Sequence, residues 1–288
     1  MTDMKNSLDR LIETGMQIDS TEAGASDMQW TARGLVLASL PVRAVAGHHF
    51  VRSAGNFKLT LMSATKIPYG VLPRLILLHL CSEAKRTRQR EIDLGDSISG
   101  FMRELGMSST GGVNGTHRRL KEQMGRLFNS TVNARWESAE GGTSIINQSV
   151  VNSAQLWFEK NDWEGAQKSL FTSNVVLSES LFKEIMNYGF PVHTKALAAL
   201  SNNSIAIDLY CWATYRVSGL KGELRLSWPA LQLQFGCGPG ERLRDFKKSF
   251  VLALNKVSLV FTQLRFEIDE NGLTLRPSLT AIRSVKGS

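Results

Sequence analysis

The chain has 288 residues, 42% of them hydrophobic, enough for about two domains at ~100–200 residues each. Its apolar runs fall short of the ~18–20 residues of a membrane span, and the N-terminus, with Asp3, Asp9 and Glu13, lacks the apolar stretch of a secretory signal. Basic side chains exceed acidic ones by 8; residues 1–40 hold three basic and six acidic groups, so +11 falls on the remainder and points to a polyanionic partner.

Residues 1–44 read as an acidic, partly flexible segment. Leu8, Leu11 and Ile12 form one short amphipathic helix there, and "DSTEAGASDMQ" is a linker. "FVRSAGNFKLTLM" alternates as two strands with a turn at Gly55-Asn56. Pro73 suits the first turn of a helix over "PRLILLHLCSEAKRT". A short strand, "REIDLG", follows. The next helix has Asp96 as N-cap, Ile98, Phe101, Met102 and Leu105 as its apolar face, and Gly106 as its stop. A glycine-rich run, Gly111 to Gly115, leads into "THRRLKEQMGRLF". Leu120, Met124, Leu127 and Phe128 share one stripe of that helix; Arg118, Arg119, Glu122 and Arg126 lie opposite. Two strand-like runs around Gly141-Gly142 form a hairpin. Residues 151–170 are a connection, either exposed chain or an extended hairpin.

From residue 171 a strand, "FTSNVVLS", and two helices, "SLFKEIMNYG" and "TKALAAL", precede a repetition of the earlier order. "SIAIDLYCWATYRVSG" is an apolar helix, "GELRLS" a short strand and "WPALQLQFG" a helix ended by glycine. The glycine loop Gly236 to Gly240 then opens a basic helix from about Glu241 to Val257. Leu243, Phe246, Phe250, Leu254 and Val257 form its core side. Arg244, Lys248 and Asn255 face away, with Arg242 and Lys247 on the flanks. Two strands around Asn271-Gly272 close the chain, with Arg265 and Arg276 as candidates for backbone contact.

Helix, strand, helix, loop, basic helix and hairpin thus occur twice. That order is the winged helix, whose second helix enters the ~12 Å major groove while the hairpin touches the backbone. The expected fold is α+β with two tandem winged-helix domains, 45–150 and 171–288, each on its own core. Thr116, His117, Arg118, Arg119, Glu122 and Arg126 in the first, and Arg242, Arg244, Lys247, Lys248, Asn255, Arg265 and Arg276 in the second, are the candidate DNA-binding residues.

Other chemistries fit poorly. Neither glycine loop has G-x-x-x-x-G-K-[ST], and Pro239 stands where a phosphate-binding amide would be needed; a turn with positive φ is the better use for these glycines. His48 and His49 are adjacent and so point to opposite faces of a strand, while His79, His117 and His193 lack a paired ligand. Cys81, Cys211 and Cys237 form no C-x-x-C pair and read as reduced thiols in a cytoplasm. No metal, cofactor or catalytic residue is expected.

The segments "FVRSAGNFKLTLM", "PYGVLPRLILLHLCSEAKRT", "IDLGDSISGFMRELGM" and "GGVNGTHRRLKEQMGRLF" closely resemble the plasmid-encoded RepA family of replication initiators. The specific combination is Tyr69-Gly70 with Pro73-Arg74, Glu83-Ala84, Leu94-Gly95 with Ser97, and Leu105-Gly106. The resemblance implies binding to directly repeated duplex sites (iterons) in a plasmid origin, opening of an adjacent AT-rich region, and recruitment of the host initiator and replicative helicase. It also implies monomer–dimer exchange, with the dimer repressing its own promoter. The alternatives are a winged-helix transcriptional repressor and a DNA nicking or strand-transfer enzyme; the lack of a spaced His pair counts against the latter.

Overall fold

The computed structural model describes residues 2–37, 39–108, 110, 115–138, 140–156, 173–238 and 240–282. The chain opens with α1 (Thr2–Ser20), a 3-10 turn, β1 (Met28–Thr31) and the short α2 (Arg33–Leu37). A hairpin of β2 (His49–Ala54) and β3 (Phe57–Ser63) turns at Gly55 with φ 63°. Helix α3 (Val71–Thr87) starts two residues ahead of Pro73, which sits in the first turn, where its missing N–H costs nothing. Next come β4 (Glu91–Asp93) and α4 (Ile98–Glu104). The N-cap of α4 is Ser97 rather than Asp96: the serine hydroxyl accepts from the Gly100 amide at 3.1 Å. Helix α5 (Thr116–Phe128) leads to β5 (Ser130–Glu137), β6 (Thr143–Ser149), β7 (Val151–Gln155) and β8 (Asn174–Leu177).

The second half holds α6 (Glu179–Tyr188), β9 (Phe190–His193), α7 (Thr194–Leu200), α8 (Ser204–Ser218), β10 (Leu224–Ser227) and α9 (Trp228–Phe235). It ends with α10 (Leu243–Val260), β11 (Arg265–Ile268) and β12 (Gly272–Arg276). The molecule is therefore mixed α+β. None of the helices described is long and apolar enough to cross a membrane.

Strand pairing reveals how each half closes. In the second half, β10 pairs antiparallel with β12, and β12 with β11. In the first half, β4 pairs with β8, and β8 with β7. The strand that follows the first helix is thus zipped to the last strand of the closing pair in both. The hairpin around Gly141-Gly142 forms as expected, but it does not close the first half. It extends β2 and β3 into a four-stranded sheet of order β2-β3-β5-β6. Alternation explains why: Val132 and Ala134 of β5 point inward beside Leu61 and Leu59 of β3, over a small core with Phe50, Phe57 and Ile67.

Residues 151–155, expected in a connection, are strand β7, while 157–170 lie outside the described residues. Residues 174–177, expected to open the second half, are β8 and belong to the sheet of the first. Only a partner some 80 residues upstream reveals this, and local alternation cannot name it.

The N-terminal segment is not a flexible linker over its described part. Helix α1 runs for 19 residues and packs on α10 and α7. At Gly15 the approach to α10 is so close that a Cβ would stand 2.0 Å from the Leu259 carbonyl oxygen. Strand β1 lies antiparallel to β9, Met28 opposite His193. The core is shared as well: one contiguous apolar cluster takes in Leu80 and Leu120 of the first half and Trp212, Phe250 and Leu254 of the second. The expectation of separate cores is corrected on this point.

Candidate nucleic-acid interface

Helix α5 is held by its inner face and by its first turn. Leu120, Met124 and Leu127 are fully buried, and Gln123 turns inward to accept from the Tyr69 amide at 2.9 Å. Thr116 is occupied locally: its hydroxyl accepts from the Thr110 amide at 2.8 Å and donates to the Ser108 carbonyl at 3.1 Å. His117 reaches the Ser99 hydroxyl of α4 at 3.2 Å. Both therefore brace the helix-to-helix turn. Arg118, Arg119, Lys121 and Glu122 are exposed. Lys121 was not singled out from the sequence; it lies on a flank of the row centred on Arg118, three positions away, within reach of the same surface.

Arg126 departs most from expectation. Its side chain is only 11% exposed and forms an ion pair with Glu122. The guanidinium also donates to the Ile67 carbonyl at 3.1 Å and lies over the Tyr69 ring at 5.1 Å. It clamps the loop before α3 to α5, in a geometry that uses its charge within the fold. Arg118, Arg119 and Lys121 are the exposed basic residues of this helix.

Helix α10 is seated by aromatics. Phe250 packs edge-on to Trp228 at 5.8 Å and tilted to Phe246 at 5.5 Å and Phe235 at 5.8 Å. The turn from α9 uses positive φ at Gly238 (118°) and Gly240 (86°), as expected of this loop. The first loop, 111–114, lies outside the described residues. Glu241 braces the second turn by accepting from the Cys237 amide at 2.7 Å, and its own carbonyl accepts from Gln232 at 2.9 Å. Burial and the neighbouring Glu241 push the Cys237 thiol up to about 11, so it is protonated at neutral pH.

Arg242, at the N-cap, together with Arg244 and Lys248, faces solvent. The Arg244 side chain is 87% exposed, with only a loose contact to Asp245 at 3.8 Å. Leu243, expected in the core, is exposed instead, at the first residue of the helix. Lys247 bridges inward: its ammonium lies 4.9 Å over the Trp228 ring and donates to the Glu270 carbonyl at 3.3 Å. It thereby ties α10 to the tip of the closing hairpin. Asn255 is exposed but sits about 20 Å along the helix from Arg242 at ~1.5 Å per residue, towards the end that packs on α1. The structure does not group it with Arg242, Arg244 and Lys248.

In the hairpin, Arg265 and Arg276 are cross-strand partners. Arg276 is paired with Glu267 at 2.8 Å and Glu223 at 3.3 Å, which offsets its charge; Arg265 is exposed. The tip is set by Asp269, whose carboxylate accepts from the Asn271 and Gly272 amides at 2.8 Å each. Those amides, Gly272 first, hold its carboxyl below the usual range.

Electrostatics and geometry thus leave two solvent-facing cationic helix surfaces, each built on a helix that precedes a closing strand pair. His48 and His49 lie apart from both: His48, just ahead of β2, approaches the Ser63 carbonyl through Nδ1 at 3.0 Å.

No curated protein sequence matches the chain significantly. Among solved structures, the crystal structure of domains 2 and 3 of RctB superposes with a TM-score of 0.52 at 12% identity, covering 85% of this chain and 96% of that one. That likeness concerns the fold alone. Residues 67–228, more than half of the chain, match the family described as plasmid encoded RepA protein. Membership supports a replication-initiator role and, with it, DNA binding. The stretch that matches runs from just ahead of α3 to the first residue of α9 and includes all of α5, so the chain belongs to the plasmid-encoded RepA protein family.

Proposed function

We infer that the chain initiates plasmid replication by gripping duplex DNA with two winged-helix units in tandem, without itself being an enzyme. The observation that supports this best is the common closure of the two halves. In each, a helix, a strand, a second helix and an exposed basic helix are followed by two strands that return to the first strand. The first unit comprises about residues 45–177, with the β5–β6 hairpin inserted between its reading helix α5 and its wing β7–β8. The second comprises about residues 178–282, with α10 as reading helix and β11–β12 as wing. Arg118, Arg119 and Lys121 read or grip one major groove, and Arg242, Arg244 and Lys248 the next. Lys247 holds the wing to α10, and Arg265 holds it to the DNA backbone.

Two unlike reading helices in one chain suit an asymmetric site, and asymmetric sites repeat directly. On this reading the sites are iterons in the plasmid origin, and the bound array opens neighbouring DNA and brings in the host initiator and helicase. A dimeric form represses the chain's own promoter.

Hydroxyl-radical footprinting of the full chain on its parental origin tests the proposal. Protection of on the order of 20 bp per subunit, on one side of the duplex and across two major grooves, is the expected result. Protection of a single groove, or of an inverted repeat needing two subunits, would sink the two-reader arrangement. A covalent tyrosine–DNA adduct would mean a nicking enzyme instead.

A further inference from the structure

The two halves meet at a buried ion pair. Arg74 of α3 is 4% exposed and grips Asp208 of α8 with both arms, Nε to Oδ1 at 2.7 Å and Nη2 to Oδ2 at 2.6 Å. The same guanidinium donates to the carbonyls of Leu40 at 2.5 Å, Pro41 at 3.2 Å and Gly70 at 2.5 Å. A second buried cation, Arg52 of β2, donates to the Ser39 carbonyl at 3.2 Å. Ser39 in turn donates to the Gln234 carbonyl of α9 at 2.9 Å, and Gln234 donates back to Leu37 at 3.1 Å. Burial lowers the Arg52 pKa to about 10, with Asp208 pulling it back up, so Arg52 stays charged at neutral pH; burial also pushes the Asp208 carboxyl up, opposed first by Arg74 and then by Arg52.

The placement of the pair matters more than its strength. Helix α3 is the helix against which α5 packs, and α8 is the helix against which α10 packs. A line of rigid contacts therefore runs from α5 through α3, Arg74, Asp208 and α8 to α10. A buried ion pair is a poor way to gain stability, since an apolar pair of equal volume does as well or better. What a two-armed guanidinium–carboxylate contact adds is direction: it fixes rotation as well as separation.

We propose that the Arg74–Asp208 pair sets the spacing and angular phase at which the two reading helices engage DNA, making it a positioning element for site specificity. The inference rests on the two-reader function above. Shifting one half-site by a base pair rotates it by about 35°, at ~10–10.5 bp per turn, which a rigidly coupled pair of readers cannot follow.

The experiment starts with duplexes selected from a random pool by the full-length protein. Each half-site is assigned by the base preferences lost in R118A/R119A and in R244A. Affinity is then measured on the selected site and on versions with one base pair added or removed between the halves. The wild-type protein is expected to lose about tenfold or more on the altered spacings, a penalty of the size of a mismatched base pair. D208N, and the apolar replacement R74M/D208L, are expected to shrink that penalty at least threefold while the base preferences within each half persist. Folding of both variants is followed by thermal melting.

A penalty unchanged in either folded variant overturns the positioning role and leaves the two-reader function standing. A wild-type protein indifferent to spacing overturns both. An independent readout leaves the ion pair intact: spin labels at R86C and R225C, in a C237S background, report the distance between the halves. A single narrow distribution supports the proposal, and a broad one in the free protein overturns it.

Discussion

At the scale of single residues, identical side chains on one helix serve different ends according to what surrounds them. Arg126 and Arg119 are both arginines on α5, yet Arg119 is exposed while Arg126 is spent on Glu122, Ile67 and Tyr69. Arg126→Ala should therefore lower stability by about 1.5–3 kcal/mol, the range for hydrogen bonds to charged groups. The salt dependence of DNA binding should stay unchanged, as melting curves and binding isotherms across a salt series would reveal. A slope reduced by about one would mean that Arg126 touches phosphate after all. Arg244→Ala should behave oppositely, leaving the melt intact and relaxing base preference in one half-site, at a cost of about 1–3 kcal/mol if it makes a two-armed guanine contact. Single-base substitutions in the site would check this.

His79 gives a pH prediction. Burial against Phe101 keeps its imidazole below the ordinary value, with Glu83 opposing and Arg86 reinforcing, and Glu104 is 3.8 Å away. His193 is lowered in the same direction, also chiefly by burial. In both the folded chain resists a proton that the unfolded chain accepts near ~6.5. The neutral rings thus contribute stability that is full above that value and is lost as pH falls below it. Denaturant melts between pH 7.5 and 5 should show falling stability, and His79→Leu should flatten part of the slope. A slope identical in the variant would remove His79 as a cause.

At the scale of elements, helices were far more legible than strand partners. The stripes of α5 and α10, the glycine ends and the Asn271-Gly272 turn are local patterns, readable within one or two turns of chain, whereas the α4 cap falls on Ser97, one residue past the Asp96 that the sequence suggested. Strand partnership is not local. The hairpin β5–β6 was visible, but its addition to β3 depends on Leu59 and Leu61, some 70 residues earlier. The same holds for β1, whose partner is β9. At the site, periodicity placed Arg118, Arg119, Arg244 and Lys248 outward. It could not foresee that Tyr69 and Ile67 would capture Arg126, or that Trp228 and Glu270 would hold Lys247.

The closing hairpin of β11 and β12 offers a test at this scale. A Cβ on Gly272 would stand 1.9 Å from the Leu226 carbonyl oxygen of β10. Gly272→Ala should prise β12 from β10, cost about 1–3 kcal/mol as overpacking does, and weaken DNA binding more than it weakens the fold. Hydrogen exchange of the β10–β12 amides, read beside affinity, would decide; native protection in the variant would refute the strain.

At the scale of the whole molecule, the shared core changes what a truncation means. Removing residues 171–288 takes away β8, which sits between β4 and β7 in the first sheet, and the Trp212 side of the common cluster. The remaining 1–170 fragment should lack a cooperative melt and bind DNA no better than an unfolded basic chain. A fragment that melts sharply and footprints one half-site would contradict the shared core. The acidic α1, packed on α10 through Gly15, extends the same principle, since it lies against the later half of that helix.

The late arrival of β8 also has a meaning in time. A ribosome adding ~5–20 residues per second needs about 4–17 s to travel from β4 to β8, and about twice that from β1 to β9. Throughout that interval the earlier strand has an unpaired edge, and the apolar side of α3 has no complete cover. The nascent initiator is thus exposed to aggregation and proteolysis for longer than its finished form would suggest. How many competent molecules a cell holds then depends on the pace of translation as well as on the amount of message.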